Sequence, residues 1–297
     1  MILNRSTLAA FFTGLNTAFQ NGLSLAPTVH AAYAMPVPSS TAQEQYAWMT
    51  SLPGFREWVG DRVMNNLRTY DYTIKNKDWE DTFAVKAKHI EDDQIGLYKP
   101  LTEMMGQTGA QHPQELVDAL LLSGFTTNCY DGQYFFDVDH PVYDTNGLLG
   151  TVSNFQGGSG PAWFLIDDTK SLKPIVLQTR KPLKLTSMQS EEDESVFMRA
   201  EFRYGASWRG NVGFGLWQLI YASKLGLDAT NYAAAKMAMR SMTGDGGRKL
   251  GLAPKLCLVG PSNEDAANNL FGLQTLAGGG ANPYYNQAKV IVSPWLQ

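Results

Sequence analysis

The 297-residue chain predicts an α+β fold with mixed sheets. Three features point there. Apolar residues recur at helical spacing near the N-terminus and between residues 95 and 126. Strict alternation and short apolar runs mark the middle of the chain. The last third then orders helix, helix, strand, helix, strand, with no internal repeat.

Residues 4–20 place Leu8, Phe11, Phe12, Leu15 and Phe19 on one helical face. The stretch NGLSLAPTVHAAYAMPVPSS that follows has prolines and small residues but little periodicity. It is expected to lie extended, over its own domain or as an arm on a neighbouring subunit. An uncovered stripe of this size is a liability for a monomer, so another copy of the chain is expected to cover it. Residues 52–67 (LPGFREWVGDRVMNNL) predict a short helix opened by Pro53 and carrying Phe55, Trp58 and Val59. Alternation over 68–75 and 82–88, on either side of the polar NKDWED, predicts a β-hairpin across 68–90. Its many charges imply that it projects and lies on an adjacent subunit. Residues 95–126 predict a long helix with Leu116, Val117 and Leu120 on one side. Gly106, Gly109 and Pro113 should kink or interrupt it, Pro113 and Glu115 suit a helix start, and Gly124 suits a cap.

In the middle, QGGSGP (156–161) predicts a loop and WFLID a short apolar strand. The basic run KSLKPIVLQTRKPLKL and the acidic EEDES (191–195) predict a solvated loop between strands, with a subunit contact as the second reading. FMRAEFRY (197–204) alternates as a strand does. Helices are expected over 212–225 and 229–242, and a buried strand over 255–260. A helix with Ser262 as N-cap and Asp265 three residues later follows, then a final strand over 288–294.

Composition bounds the function. A chain this long buries about 75% of its unfolded surface and needs neither disulfides nor a metal to hold a core. The two cysteines, Cys129 and Cys257, sit in apolar surroundings far apart in sequence, which predicts buried free thiols in a reducing compartment. A formal charge of −4 argues against a basic nucleic-acid binder. No apolar run approaches the ~18 residues of a membrane span, and no secretory signal is legible. A cytosolic chain is expected.

The segment YDGQYFFDVDHP (130–141) groups Asp137, Asp139 and His140 as a metal or hydrolase site would. On an extended segment, however, Asp137 and Asp139 face one side and His140 the other. Pro141 holds His140 extended, and none of the four histidines pairs at HxH or HxxxH spacing. The structural alternative makes Asp131-Gly132 a turn and lets Asp137 and Asp139 bond nearby backbone at a strand end. GDGG (244–247) lacks the Lys-Ser/Thr of a phosphate loop, and GGSGP lacks the strand-to-helix context of a nucleophile elbow. No catalytic, cofactor-binding or metal residue is therefore expected. A cytosolic metal-dependent enzyme with a site near Asp137 and Asp139 is the alternative.

Longer blocks carry a resemblance. WEDTFAVKAKHIEDDQIGLY, ELVDALLLSGFTTNCYDGQYFFDVDHP, FRYGASWRGNVGFGLWQLIYASK, KLCLVGPSNEDAANNLF and NPYYNQAKVIVSPWL together resemble the major head (capsid) proteins of Mu-like phages and prophages. The resemblance runs from about Leu52 onward. It implies the Hong Kong 97-type capsid fold of tailed phages, with no catalytic residues. On that pattern residues 1–51 form an N-terminal arm, 52–94 a short helix and the E-loop hairpin, and 95–128 the spine helix. Residues 129–210 are mainly peripheral domain and 211–297 mainly axial domain. The implied partners are further copies in hexamers and pentamers, a separate scaffolding protein, a portal, a head protease and a decoration protein. Packaged double-stranded DNA would be enclosed without sequence-specific binding, with assembly in the host cytoplasm and no membrane.

Overall fold

The computed structural model describes residues 4–46, 72–92, 94–190, 192–276 and 278–297. In chain order these form α1 (Arg5–Leu25), β1 (Ala34–Pro38), β2 (Gln43–Gln45), β3 (Thr73–Lys75), β4 (Lys77–Lys86), α2 (Ala87–Glu91) and α3 (Tyr98–Ser123). Next come β5 (His140–Tyr143), β6 (Leu149–Val152), β7 (Phe155–Gly158), β8 (Trp163–Ile166), β9 (Ile175–Met188), α4 (Glu194–Arg199) and β10 (Glu201–Phe214). The chain ends with β11 (Ile220–Lys224), α5 (Ala229–Ser241), β12 (Leu256–Val259), α6 (Glu264–Phe271) and β13 (Lys289–Val292).

Two mixed sheets organise these elements, as the α+β expectation requires. One runs β1-β9-β10-β4 and the other β13-β12-β8-β11-β7; β2 pairs β3 and β5 pairs β6 in two small ribbons. In the second sheet β12 and β8 are buried at every position, so these four-residue apolar runs are central strands. Strand β10 runs through position 210, and the second sheet joins β7 and β8 to the later β11, β12 and β13.

The helix over residues 4–20 forms, and its start is dictated locally. Asn4 accepts the Thr7 N–H at 2.9 Å while the Thr7 hydroxyl accepts the Asn4 N–H at 3.1 Å, a reciprocal cap. Its stripe does not wait for another copy. Leu8, Phe11, Leu15 and Phe19 are buried against Met105 of α3, Val85 of β4, Leu185 of β9 and Phe202 and Tyr204 of β10. At about 1.5–3 kcal/mol per side chain, four such residues contribute about 6–12 kcal/mol. That equals a typical domain's whole stability. The arm expectation is corrected: α1 is part of its own subunit's core.

Two glycines permit this packing. A methyl group on Gly22 would lie 2.0 Å from the Glu103 carbonyl oxygen, and one on Gly106 would lie 2.2 Å from that of Phe19. The backbones of α1 and α3 thus touch where neither helix has a side chain. Gly106, Gly109 and Pro113 do not interrupt α3, which is continuous over 26 residues with Pro113 inside it. Gly109 admits the Leu183 side chain, to which a methyl would come within 2.6 Å. These glycines serve close approach instead of breaking the helix. Gly124 does follow the last helical residue, as expected, but with right-handed angles (φ −62°).

Other expectations also change. The 52–67 helix and the first residues of the 68–90 hairpin lie outside the described residues. Within them, β3 pairs β2, and β4 pairs β10 in an unbroken antiparallel register from Lys77↔Gly210 to Lys86↔Glu201. Thus 73–90 is no projecting hairpin. Trp79, Phe83 and Val85 alternate toward Trp208, Tyr204 and Phe202, and burying that face holds β4 on its own sheet. Residues 212–225 are not a helix but the end of β10 and the strand β11, which lies between β8 and β7 with its first four residues buried. An apolar run buried on both sides lacks strand alternation, and Gly213 and Gly215 already disfavour a helix there. Residues 197–204 divide between α4 and β10 at Ala200, whose φ of +49° turns the chain. Helix α6 starts after a 3₁₀ turn at Pro261–Asn263, with Asn263 instead of Ser262 at its cap position.

Candidate functional site

The DVDH block divides as an extended segment should: Asp139 is exposed and His140, at the start of β5, is completely buried. Asp137 Oδ1 accepts the Val138 N–H at 2.7 Å, so this carboxylate closes its own turn. The hydrogen bond with Asp137 raises the proton affinity of Asp139, and the nearby Asp137 charge acts in the same direction. These two carboxylates meet each other on the outside and do not reach His140.

His140 has other company. Its Nδ1 lies 2.7 Å from Asp131 Oδ2 and its Nε2 3.2 Å from Asn154 Oδ1. The ring stacks on Trp217 with centroids 3.9 Å apart and planes 9° from parallel. The Asn154 amide is oriented by its other bonds: Nδ2 donates to the Phe135 carbonyl at 2.8 Å, and Oδ1 accepts the Asp137 N–H at 2.9 Å. Both imidazole nitrogens therefore face acceptor oxygens, Nδ1 a carboxylate and Nε2 a side-chain amide. The result is a buried imidazole–carboxylate pair, with neither side chain more than 5% exposed and an indole stacked on the imidazole face. Burial pushes the Asp131 carboxyl up, but the hydrogen bond and charge of His140 outweigh it. Together with bonds from Cys129 and Gln133, they hold it below the ordinary carboxylate value.

Cys129 completes a triad of ligand-type atoms: Cys129 Sγ, an Asp131 oxygen and a His140 nitrogen lie within 4.8 Å of one another. Their protons already satisfy them, since Cys129 Sγ donates to Asp131 Oδ1 at 3.1 Å. Burial pushes the Cys129 thiol far above its ordinary range, which disfavours the thiolate a metal would need. The arrangement is built to tie the 129–136 turn, β5 and the segment before β7 together. Asp131-Gly132 does turn the chain, with Gly132 at φ +90°. The sequence singled out His140 and that turn but not their pairing. Asn154 lies 14 residues from His140, and Trp217 sits where a helix was expected.

A second buried polar centre, which no motif announced, sits on α3. Asp118, with no exposed surface, accepts the Tyr33 hydroxyl at 2.6 Å, Gln114 Nε2 at 2.8 Å and the Ser293 hydroxyl. Gln114 Oε1 in turn accepts the Val29 N–H at 3.0 Å. Burial pushes the Asp118 carboxyl above its ordinary value against these three donors. The centre fastens the stretch before β1 and the segment after β13 to the middle of the long helix. It offers no reacting group to solvent. Both cysteines are free and buried, as expected.

What faces outward is different in kind. Phe197 and Met198 on α4 are 82% and 69% exposed. Leu97, Leu101 and Met104, at i, i+4 and i+7 along the start of α3, are exposed as well. Large apolar groups left exposed in neighbouring positions are suited to contact with another protein surface.

Comparison with known proteins agrees. Residues 8–296 match the family described as Mu-like prophage major head subunit gpT. The Mu-like prophage FluMu major head subunit of Haemophilus influenzae is 41% identical, over 88% of this chain and 87% of its own. The major capsid protein of Escherichia phage Mu is 37% identical over the full length of both. Among solved structures, the procapsid of bacteriophage JBD30 superposes with a TM-score of 0.88 at 42% identity, covering 99% of this chain and 100% of that one. The JBD30 capsid decorated with minor capsid protein trimers gives a TM-score of 0.77 at 31% identity over 94% of each chain. The chain therefore belongs to the family of Mu-like prophage major head subunits, and it is a structural capsid protein with a phage-capsid fold, not an enzyme.

Proposed function

We propose that the chain assembles into hexamers and pentamers that close an icosahedral head around double-stranded DNA. The observation that carries this is the superposition of nearly the whole chain on a procapsid subunit. On this reading the β1-β9-β10-β4 sheet, with α1 and α3, is the peripheral unit. The β13-β12-β8-β11-β7 sheet, with α5 and α6, is the axial one. The formal charge of −4 suits a shell that confines DNA without gripping it. A separate scaffolding protein, a portal and a head protease act with the chain in the host cytoplasm, and trimers of a minor protein decorate the finished shell. Among the described residues the one group of metal-ligand type, Cys129–Asp131–His140, is bonded within itself, and on this reading its role is structural.

Shell proteins work through many contacts that are individually modest and collectively firm. Sedimentation of the chain, expressed with its scaffolding partner, tests the proposal. Particles orders of magnitude heavier than the 32.7 kDa subunit are expected. A population that stays at subunit size at every concentration would contradict it.

A further inference from the structure

The two edges of the first sheet carry opposite charge. Strand β1 pairs only with Ile175–Thr179 of β9, so the next nine residues of β9 form an edge to which no described strand adds. That edge holds Arg180, Lys181 and Lys184 and no acid. Across β10, the opposite edge is β4, whose central residues include Asp78, Glu80 and Asp81 with no base among them. The register aligns Lys184, Ser207 and Glu80 in one row across the sheet. Lys184 and Glu80 are exposed at its two ends.

These charges do not satisfy each other within one subunit. Two strand spacings separate the edges by about 10 Å, roughly a Debye length at physiological salt. The described residues give Arg180, Lys181 and Lys184 no acidic partner. On the other edge Asp78 meets Arg209 at 3.2 Å but stays 76% exposed, and Glu80 and Asp81 have no basic partner among the described residues. Continuous backbone pairing between the edges is interrupted on the β9 side, where Pro182 lacks an N–H and sits at an irregularity in the β9–β10 register. The charged side chains of the two edges are then the groups best placed to meet. Because the two edges belong to opposite sides of one sheet, such a contact is head-to-tail, the kind that closes into rings.

We propose that the basic β9 edge of one copy docks on the acidic β4 edge of the next, and that this contact sets the order of subunits around a capsomer ring. The inference rests on the assignment as a shell subunit and names the surface that assignment leaves open. Arg180→Glu/Lys181→Glu/Lys184→Glu should lower particle yield at least about tenfold, as should Asp78→Lys/Glu80→Lys/Asp81→Lys. Carrying all six changes in one chain restores opposite charges across the contact and should recover assembly. If either triple variant fails to fold by circular dichroism, Lys184→Glu and Glu80→Lys provide the same cycle at two exposed positions. Wild-type yield from the folded reversed chains, or no recovery in the combined chain, would overturn this inference alone. Absence of wild-type particles would overturn the shell assignment and this inference with it.

Discussion

The contact of α1 with α3 sets a sharp demand on Gly22. In Gly22→Ala the new methyl starts 2.0 Å from the Glu103 carbonyl oxygen, whereas real contacts of this kind do not fall below 3.0 Å. The obstacle is backbone, so no rotamer relieves it, and the helices must separate by about 1 Å. Overpacking of this sort costs about 1–3 kcal/mol, with a rigid obstacle at the upper end. Alanine's better helix propensity returns about 1 kcal/mol. A net loss of about 2 kcal/mol is expected, a shift of about 1 M in the urea midpoint at an ordinary slope. Gly106→Ala, 2.2 Å from the Phe19 carbonyl, should behave alike. The double variant should cost less than the sum, because helices already apart have room for the second methyl. Gly14→Ala is the control: on the same helix, its methyl would meet only Lys99 Cε at 3.9 Å, so it should be neutral or stabilise by up to about 1 kcal/mol. Urea unfolding of dissociated subunits reads all four. Equal effects of Gly22→Ala and Gly14→Ala would refute the close crossing.

Removing residues 4–25 should abolish a folded subunit instead of merely blocking assembly, since their cover is the Met105–Tyr204 cluster; a soluble, cooperatively unfolding remainder would disprove this. His140→Gln or Asp131→Asn should each destabilise by about 3 kcal/mol, because either strands one member of a buried pair; thermal unfolding decides it. Asp131 also fixes a sign: its folded carboxyl lies below its unfolded value near 3.8, so its contribution is present above that pH and lost as pH falls through the lowered value. Stability of the wild type should therefore drop below about pH 4, and Asp131→Asn should flatten that drop. Elemental analysis of dialysed protein should find no stoichiometric transition metal; one that is lost in Cys129→Ser would reverse the assignment of that cluster.

Much of the fold was legible where a single periodicity ruled. Helix α1, the core strands β8 and β12, α5 and the last strand follow from their own residues. Errors fell where tertiary partners decide. Gly106, Gly109 and Pro113 carry the local signal of a broken helix, but α3 runs through all three, and the missing side chains of Gly106 and Gly109 admit the neighbours Phe19 and Leu183. Residues 212–225 have the apolar density of a helix because β11 is covered on both faces. The charged NKDWED conceals Trp79, whose burial against Trp208 keeps β4 on its sheet. At the candidate site, the opposite facing of Asp139 and His140 could be read from strand geometry. The partners Asn154 and Trp217 could not, since nothing local to 130–141 specifies them. Family membership rested on long blocks, and these tolerate errors in individual elements.

Cryo-electron microscopy of the particles that this chain forms tests its role most directly. The expected map is a closed shell of five- and six-fold capsomers into which the subunit fits with α1 lying on its own α3. Particles without such capsomers, or a map in which α1 crosses to a neighbouring subunit, would contradict the account.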